Sequence, residues 1–346
     1  SQQQLQPSSS EPPTQSLRGF FSRFASAATG PSAAAKRAAK EEEAVQRAIS
    51  EDLAGSSTAS VFLRISTVNV QTYVNKTLAA ELERATKKPP PKHTKIAILT
   101  SSYDESSVSM ATLSGSSSGK ASEIFASVLP NKNGRVFIGF PTAQTTGLLA
   151  HISAPSVIPT VERESIDLNA RWVRDWNVEM LRVAGIACRV AYTGDMAELK
   201  AKLERQMAAS GNKKVHKEDL DAVMASAIHT FKQYTFSEST PSSQVGAIIE
   251  EAFWTCNQKG SINLLSTRGV LPSFEVRVAT EDLSFVDGIP VVPNEIMEKA
   301  SVFMRNLKEY GLLSDITTHD IKKELEARAL EEKQLTELIK WAASKL

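Results

Sequence analysis

Gly134-Arg-Val-Phe-Ile-Gly-Phe-Pro-Thr-Ala-Gln-Thr-Thr-Gly-Leu148, then His151-Ile-Ser-Ala-Pro-Ser-Val-Ile-Pro-Thr-Val-Glu-Arg-Glu-Ser-Ile166, then Trp176-Asn-Val-Glu-Met-Leu-Arg182, is the stretch on which the fold class turns. The run Val136–Phe140 is apolar and β-branched and predicts a buried strand leading into a polar Gln144-Thr145-Thr146-Gly147 loop. A second apolar run, Leu148–Ile152, follows. The charged cluster Glu162-Arg163-Glu164 then enters a long helix with Ile166, Trp172, Val173, Trp176 and Met180 at helical spacing. Gly185 is expected to end that helix.

Upstream, residues 59–74 alternate apolar and polar side chains and predict one long bent strand or two shorter ones. Lys95–Thr100 and Ile124–Leu129 read as further strands, on either side of a Ser-rich insertion at 101–121. Residues 1–15 are rich in Gln, Ser and Pro and predict disorder. Residues 31–53 favour a helix ending near Gly55. Downstream, 195–209, 217–234 and 242–258 are amphipathic helices. A β interlude spans 262–278, a helix runs from Pro293 to about Tyr310, and one broken or two short helices occupy 320–345. The fold class is α+β, a mixed sheet covered by helices and followed by a mainly helical part with a small β element. The expected division is a flexible segment 1–55 with short helices, a sheet-containing domain 56–210 and a helical domain 211–346.

With 346 residues, 23% of them charged and a net charge of +1, the chain has no global field pointing to nucleic acid or membrane. No apolar stretch approaches the roughly 20 residues that span a bilayer. Cys188 and Cys256 lack metal-ligand spacing and fit a reducing intracellular compartment, cytoplasm or nucleus. The start at Ser1 reads as a processed or internal start. The acid-free, basic and Ala/Ser-rich residues 12–40 read as a linker in preference to a mitochondrial presequence. Asn75-Lys76-Thr77 matches the glycosylation pattern, which is too short to carry weight.

Several motifs invite a chemical reading. Arg163 offers a planar, permanently charged fork suited to phosphate oxygens. The bland alternative is an ion pair at a helix start, where Glu162 and Glu164 would complement the helix dipole. Gln144, Thr145, Thr146 and Gly147 offer an amide, two hydroxyls and a tight backbone to a phosphate or water, against ordinary strand-connecting turn chemistry. Gly115–Ser122 imitates a phosphate loop but has three residues between its glycines and Ala121 after Lys120, so it is set aside. Arg84, Lys87, Lys88, Lys92, His93 and Lys95 cluster around Pro89-Pro90-Pro91. Without interleaved aromatic residues this reads as a solvated loop, and nucleic acid is not expected as a partner. His151 is expected to pack, as are Trp172, Trp176 and Asn177, with Asn177 satisfying a backbone group. No metal site and no nucleophile elbow is present. No converging polar cluster suggests an independent enzyme.

Residues 58–190, with the strings Glu81–Lys92, Leu271-Pro-Ser273 and Gly288–Pro293, resemble uncharacterised fungal relatives of the sacsin and NO VEIN group. Those proteins carry an ATPase domain of the histidine kinase, gyrase B and ninety-kilodalton heat-shock chaperone type. The Asp-x-Gly-x-Gly turn of that nucleotide pocket is missing here, so the resemblance implies the region downstream of it, a middle or transducer-like part. It further implies that Arg163 reaches the γ-phosphate of ATP held by the upstream ATPase domain. The Gln144–Gly147 loop would then correspond to a phosphate-facing loop of the gyrase branch. Two departures stand out: Glu162 replaces a serine, and Thr146 replaces a lysine. The implied function is non-catalytic, completing a neighbouring nucleotide site and contacting client proteins. No cofactor is expected in this chain, and ATP and magnesium are implied for the parent protein. The alternative is a protein-interaction scaffold of degenerate ATPase ancestry.

Overall fold

The computed structural model describes residues 62–115, 129–130, 133–256, 261–279, 288–327 and 329–344, together with Lys40, Glu43, Ala44 and Arg47. The expected helix at 31–53, the strand at 124–129 and most of Gly115–Ser122 therefore fall almost wholly outside the described residues. The chain divides into two units, Ser1–Ser56 and Ser57–Leu346.

Within the second unit, β1 (Arg64–Gln71), β2 (His93–Thr100), β3 (Arg135–Phe137), β4 (Pro141–Thr145) and β5 (His151–Ser153) form one sheet in the order β1-β2-β5-β3-β4. All pairings are antiparallel except β3 with β5, so the sheet is mixed. Residues 59–74 contribute one strand, whose burial alternates strictly. Its neighbour β2 shows the same period, with Ile96 and Ile98 buried. The expected strand to Phe140 stops at Phe137, because the chain turns through Gly139 at φ +90°. Consequently Gln144 and Thr145 belong to strand β4 and not to a loop.

Helix α1 (Lys76–Thr86) joins β1 to β2, and Asn75 accepts a hydrogen bond from the Leu78 amide at 2.7 Å as its N-cap. The Ser-rich segment forms helix α2 (Tyr103–Gly115). Ser102 Oγ accepts from the Glu105 amide at 3.2 Å while the Glu105 carboxylate accepts from the Ser102 amide, a capping box that composition alone conceals.

Helix α3 (Arg171–Ser210) runs 40 residues without a break, roughly 60 Å. The two helices expected on either side of Gly185 are one. Gly185 is no terminator: a Cβ there would collide with the Ile249 carbonyl and come within 2.7 Å of Ala252 Cβ. It is the point where α3 crosses helix α5 (Ser243–Thr255), and glycine lets the two backbones approach. Helix α4 (Lys217–Gln233) packs on the same long helix.

The inward face of the sheet (Ile96, Ile98, Val136, Ile152) and the apolar stripes of α3, α4 and α5 make one continuous core. Each fully buried aliphatic side chain in it contributes about 1.5–3 kcal/mol. The core includes Tyr192, Phe231, Phe253 and Phe303, which meet at ring-centroid distances of 5.2–6.0 Å. Because α3 serves both halves, the expected boundary near residue 210 does not separate two cores.

Beyond α5 lie the hairpin β6 (Asn263–Ser266) and β7 (Gly269–Pro272) and the short pair β8 (Arg277–Val278) and β9 (Ser314–Asp315). The helix expected from Pro293 is broken at Ala300 into α6 (Asn294–Lys299) and α7 (Ser301–Glu309). The chain closes with two short helices, α8 (Thr318–Ala327) and α9 (Glu332–Ser344). The α+β class with a helical C-terminal part and a small β element is what the structure has.

Candidate functional site

Glu162-Arg163-Glu164 does not enter a helix, which begins only at Arg171. It forms the tip of a tight hairpin. Pro159 bridges Ile166, the Thr160 amide donates to the Ser165 carbonyl at 2.9 Å, and the Arg163 amide donates to the Thr160 carbonyl at 2.9 Å. Arg163 is held at φ +61°, the left-handed region that side-chain-bearing residues seldom occupy. Val161 beside it is 93% exposed. The guanidinium lies 5.7 Å from the Phe140 ring centroid, and Arg163 has no ion pair among the described residues. The alternative of an ion pair at a helix start is therefore not realised.

The base of the hairpin is clamped. Asn177 on α3 accepts from the Ile158 amide and donates to the carbonyls of Ile158 and Asp167, all at 2.8 Å. Trp176 Nε1 donates to the Ser156 carbonyl at 2.7 Å. From the side, the Ala143 amide donates to the Glu164 carbonyl at 2.9 Å and Ser165 Oγ donates to Gln144 Oε1 at 2.8 Å. The helix and the sheet edge thus fix everything but the tip.

The structure brings the Gln144–Gly147 segment to this same place, though facing inward. Gln144 is fully buried. Its amide donates to the carbonyls of Thr145 and Ser242, and its Oε1 also accepts from the Ser242 amide at 3.1 Å. Thr145 is half-buried, and its Oγ1 accepts from the Thr240 amide at 2.8 Å. Thr146 is fully buried and donates to the Ala150 carbonyl at 2.9 Å. Gly147 sits at φ +81°, and a Cβ there would meet the Ser237 carbonyl oxygen at 2.7 Å. The polar side chains of this segment are spent on partners within the fold, Thr240 and Ser242 on one side and Leu148, Ala150 and Ser165 on the other. Their chemistry as folded is that of a brace.

A second convergence of polar groups has no counterpart in the sequence reading. A cleft of about 230 Å³ lies between the start of β1, the start of α2, and the helices α3 and α4. Arg64 donates from Nε to Glu105 at 2.9 Å and also pairs with Glu198, and its Nη1 is 3.8 Å from Asp195. Asp195 accepts from the Tyr234 hydroxyl at 2.9 Å and from Gln233 Nε2 at 3.4 Å. Burial pushes its pKa up to about 6. Tyr234 and Arg64 act against that rise, while Glu198 and Glu105 add to it. Lys202 bridges Asp104 at 2.9 Å and Ser226 at 3.1 Å. The signal available beforehand was Asp195, Glu198 and Lys202 on one stripe of a helix. Their partners lie on remote elements, out of reach of periodicity.

The whole chain, residues 1–346, matches the model of a family described as a protein of unknown function, DUF3684. The chain belongs to that family. No curated protein and no solved structure matches it.

The remaining sequence candidates in this DUF3684 chain have structural explanations. His151 is buried, its Nδ1 accepts from the Arg135 amide at 2.9 Å, and its ring meets Phe137 edge-on at 5.3 Å. Cys188 is buried, which pushes its thiol far above the ordinary range, and neither it nor Cys256 is in a disulfide. No group of three or more His, Cys, Asp and Glu side chains among the described residues is arranged to hold a metal. No helix among the described residues is long and apolar enough to cross a membrane.

Proposed function

We propose that this chain is a non-catalytic, transducer-like part of a chaperone-like ATPase. Arg163 completes the nucleotide site of a neighbouring upstream domain, and the remainder of the fold contacts client proteins inside the cell. The observation that carries this reading is an arginine with no ion pair among the described residues, in a strained backbone conformation, at the exposed tip of a hairpin clamped by Asn177 and Gln144. Strain of this kind persists only where the surroundings over-determine it, and it clusters at sites of contact. A clamped guanidinium costs little reorganisation when it meets phosphate charge in a separate domain, which is how a trans-acting arginine stabilises phosphoryl transfer. ATP and magnesium belong to that partner domain.

The test is ATP hydrolysis by the full-length parent protein carrying Arg163→Ala and, separately, Arg163→Lys. The alanine variant is expected to lose turnover on the order of 10³-fold with ATP affinity nearly unchanged. Lysine is expected to restore little, since it lacks the bidentate fork. Unchanged turnover in Arg163→Ala sinks the reading. Calorimetry on the 346-residue chain alone should register no ATP binding. A second reading, a scaffold of degenerate ATPase ancestry, draws support from the inward use of Gln144–Gly147. It predicts no turnover even with the upstream domain restored.

A further inference from the structure

The five strands of the sheet contain no aspartate and no glutamate. One of their two faces is turned away from the core. On it the register sets Gln71 beside His93, Asn69 beside Lys95, Thr67 beside Ala97 and Ile65 beside Leu99. The row of Thr67 and Ala97 continues through Ser153 to Phe137. The alternation of β1 runs past its last paired residue, so Ile65, Thr67, Asn69, Gln71 and Tyr73 all fall on this face, and all are exposed. Ile65 is 65% and Tyr73 85% exposed. The Thr72 amide donates to the Lys92 carbonyl at 3.0 Å, which fixes Tyr73 next to the basic Lys92–Lys95 segment. Lys92, His93 and Lys95 are exposed and have no ion pair among the described residues. Helix α1 starts beside Tyr73 with no acid in its first turn.

The basic string around Pro89–Pro91 reads as a solvated loop in sequence because no aromatic residue interrupts it. The fold supplies one, Tyr73, from just beyond the end of β1. We propose that the open face of β1 and β2 binds single-stranded nucleic acid. Tyr73 offers a freely exposed ring for a base to stack on, a contact available to any base. His93 and Lys95 face backbone phosphates, and no carboxylate on the strands repels them. Asn69 and Gln71 place amides at the edges of a splayed base, where single strands are read. Side chains on this face repeat every roughly 6.8 Å along the strand, so a chain laid across it meets ring, amide and cation in succession. An acidic polypeptide would satisfy the lysines and leave the ring and amides unused. This inference stands independently of Arg163.

The test is fluorescence anisotropy of the full 346-residue chain with an end-labelled oligouridine of about 12 nucleotides, at about 50 and 150 mM salt. Binding is expected to weaken with salt at a slope of about −0.7 per phosphate contacted. Tyr73→Ala is expected to weaken it at least about fivefold, while Tyr73→Phe stays within about twofold. The His93→Glu/Lys95→Glu double variant is expected to abolish it, and Lys340→Glu on α9 is expected to leave it unchanged. Absence of binding at low salt overturns the proposal. So does a Tyr73→Ala variant that binds like the parent chain, or a poly-glutamate peptide that competes as well as unlabelled RNA. The last outcome would assign the face to acidic protein partners.

Discussion

Replacing Asp195 by asparagine should stabilise the protein above neutral pH and leave it unchanged in acid. The carboxylate lies on α3 with its side chain 17% exposed, hydrogen-bonded to Tyr234 and 3.8 Å from Arg64, in the company of Glu105 and Glu198. Burial raises its pKa from 3.8 to about 6, because the charged form loses water and a single arginine is already shared with two other carboxylates. The folded protein therefore holds this proton more tightly than the unfolded chain does. Below about pH 4 both states are protonated and the group is neutral in its effect. Between about pH 4 and 6 the folded state binds more protons, so stability falls as pH rises, and above that window the whole cost remains. At about 1.36 kcal/mol per unit, the displacement amounts to about 3 kcal/mol.

The amide of Asp195→Asn keeps an acceptor for the Tyr234 hydroxyl and has no charge to desolvate, but it gives up attraction to Arg64. The net gain expected near pH 8 is about 1–3 kcal/mol, shrinking to nothing by about pH 4. Urea unfolding followed by tryptophan fluorescence, run on parent and variant across that range, reads the difference directly. A variant less stable than the parent at about pH 8, or a difference that does not change with pH, refutes the reasoning. Either result would mean that Arg64 compensates the buried charge in full.

Gly185→Ala is expected to cost about 1–3 kcal/mol, because the new Cβ has no room against Ile249 and Ala252 where α3 crosses α5. Thermal melting checks it, and an unchanged midpoint would show that the two helices separate at little expense. Gln144→Leu removes the acceptor for Ser165 and Ser242 and the donor to Thr145 and Ser242. It leaves these half-buried groups unpaired, at about 1–3 kcal/mol in total. Limited trypsin digestion should then cut after Arg163 several times faster than in the parent chain, and an unchanged cleavage rate would deny that Gln144 braces the hairpin.

Much of the fold is legible in the sequence because it rests on local periodicity. The alternation of β1 and the helical stripes of α4 and α5 each bury one face, and the pattern records which. The failures come where a residue's local preference is overruled by a distant neighbour. Gly185 looks like a helix stop and is a crossing point, since only the position of α5 reveals what glycine is for. The serines of α2 suggest a loop, and Ser102 with Glu105 caps a helix. Gln144 and Arg163 were both legible as unusual residues. That Gln144 faces inward and supports the Arg163 hairpin depends on Ser165 and Ser242, which no spacing rule connects. The cleft around Asp195 was illegible for the same reason: its charges come from remote elements, and Tyr73 likewise joins the basic segment only through the pairing of β1 with β2.

The conformation of Arg163 weighs on the choice between a structural and a contacting role. A tight turn needing φ near +60° is most cheaply made with glycine or asparagine, and a long side chain there raises the energy of the fold. If the turn served only to reverse the chain between Pro159 and Ile166, nothing in its surroundings would require a guanidinium. The side chain makes no ion pair among the described residues, and its guanidinium lies over the half-buried ring of Phe140, an interaction of about 0.5–1 kcal/mol at an exposed site. That is too little to offset a strained backbone, which costs on the order of 1–3 kcal/mol. The balance is closed by the clamps at the base, which pin the hairpin whatever occupies its tip. A clamped turn that ends in a strained cation, without an ion pair among the described residues, is the arrangement expected if, as proposed, Arg163 meets a negatively charged group of a separate domain.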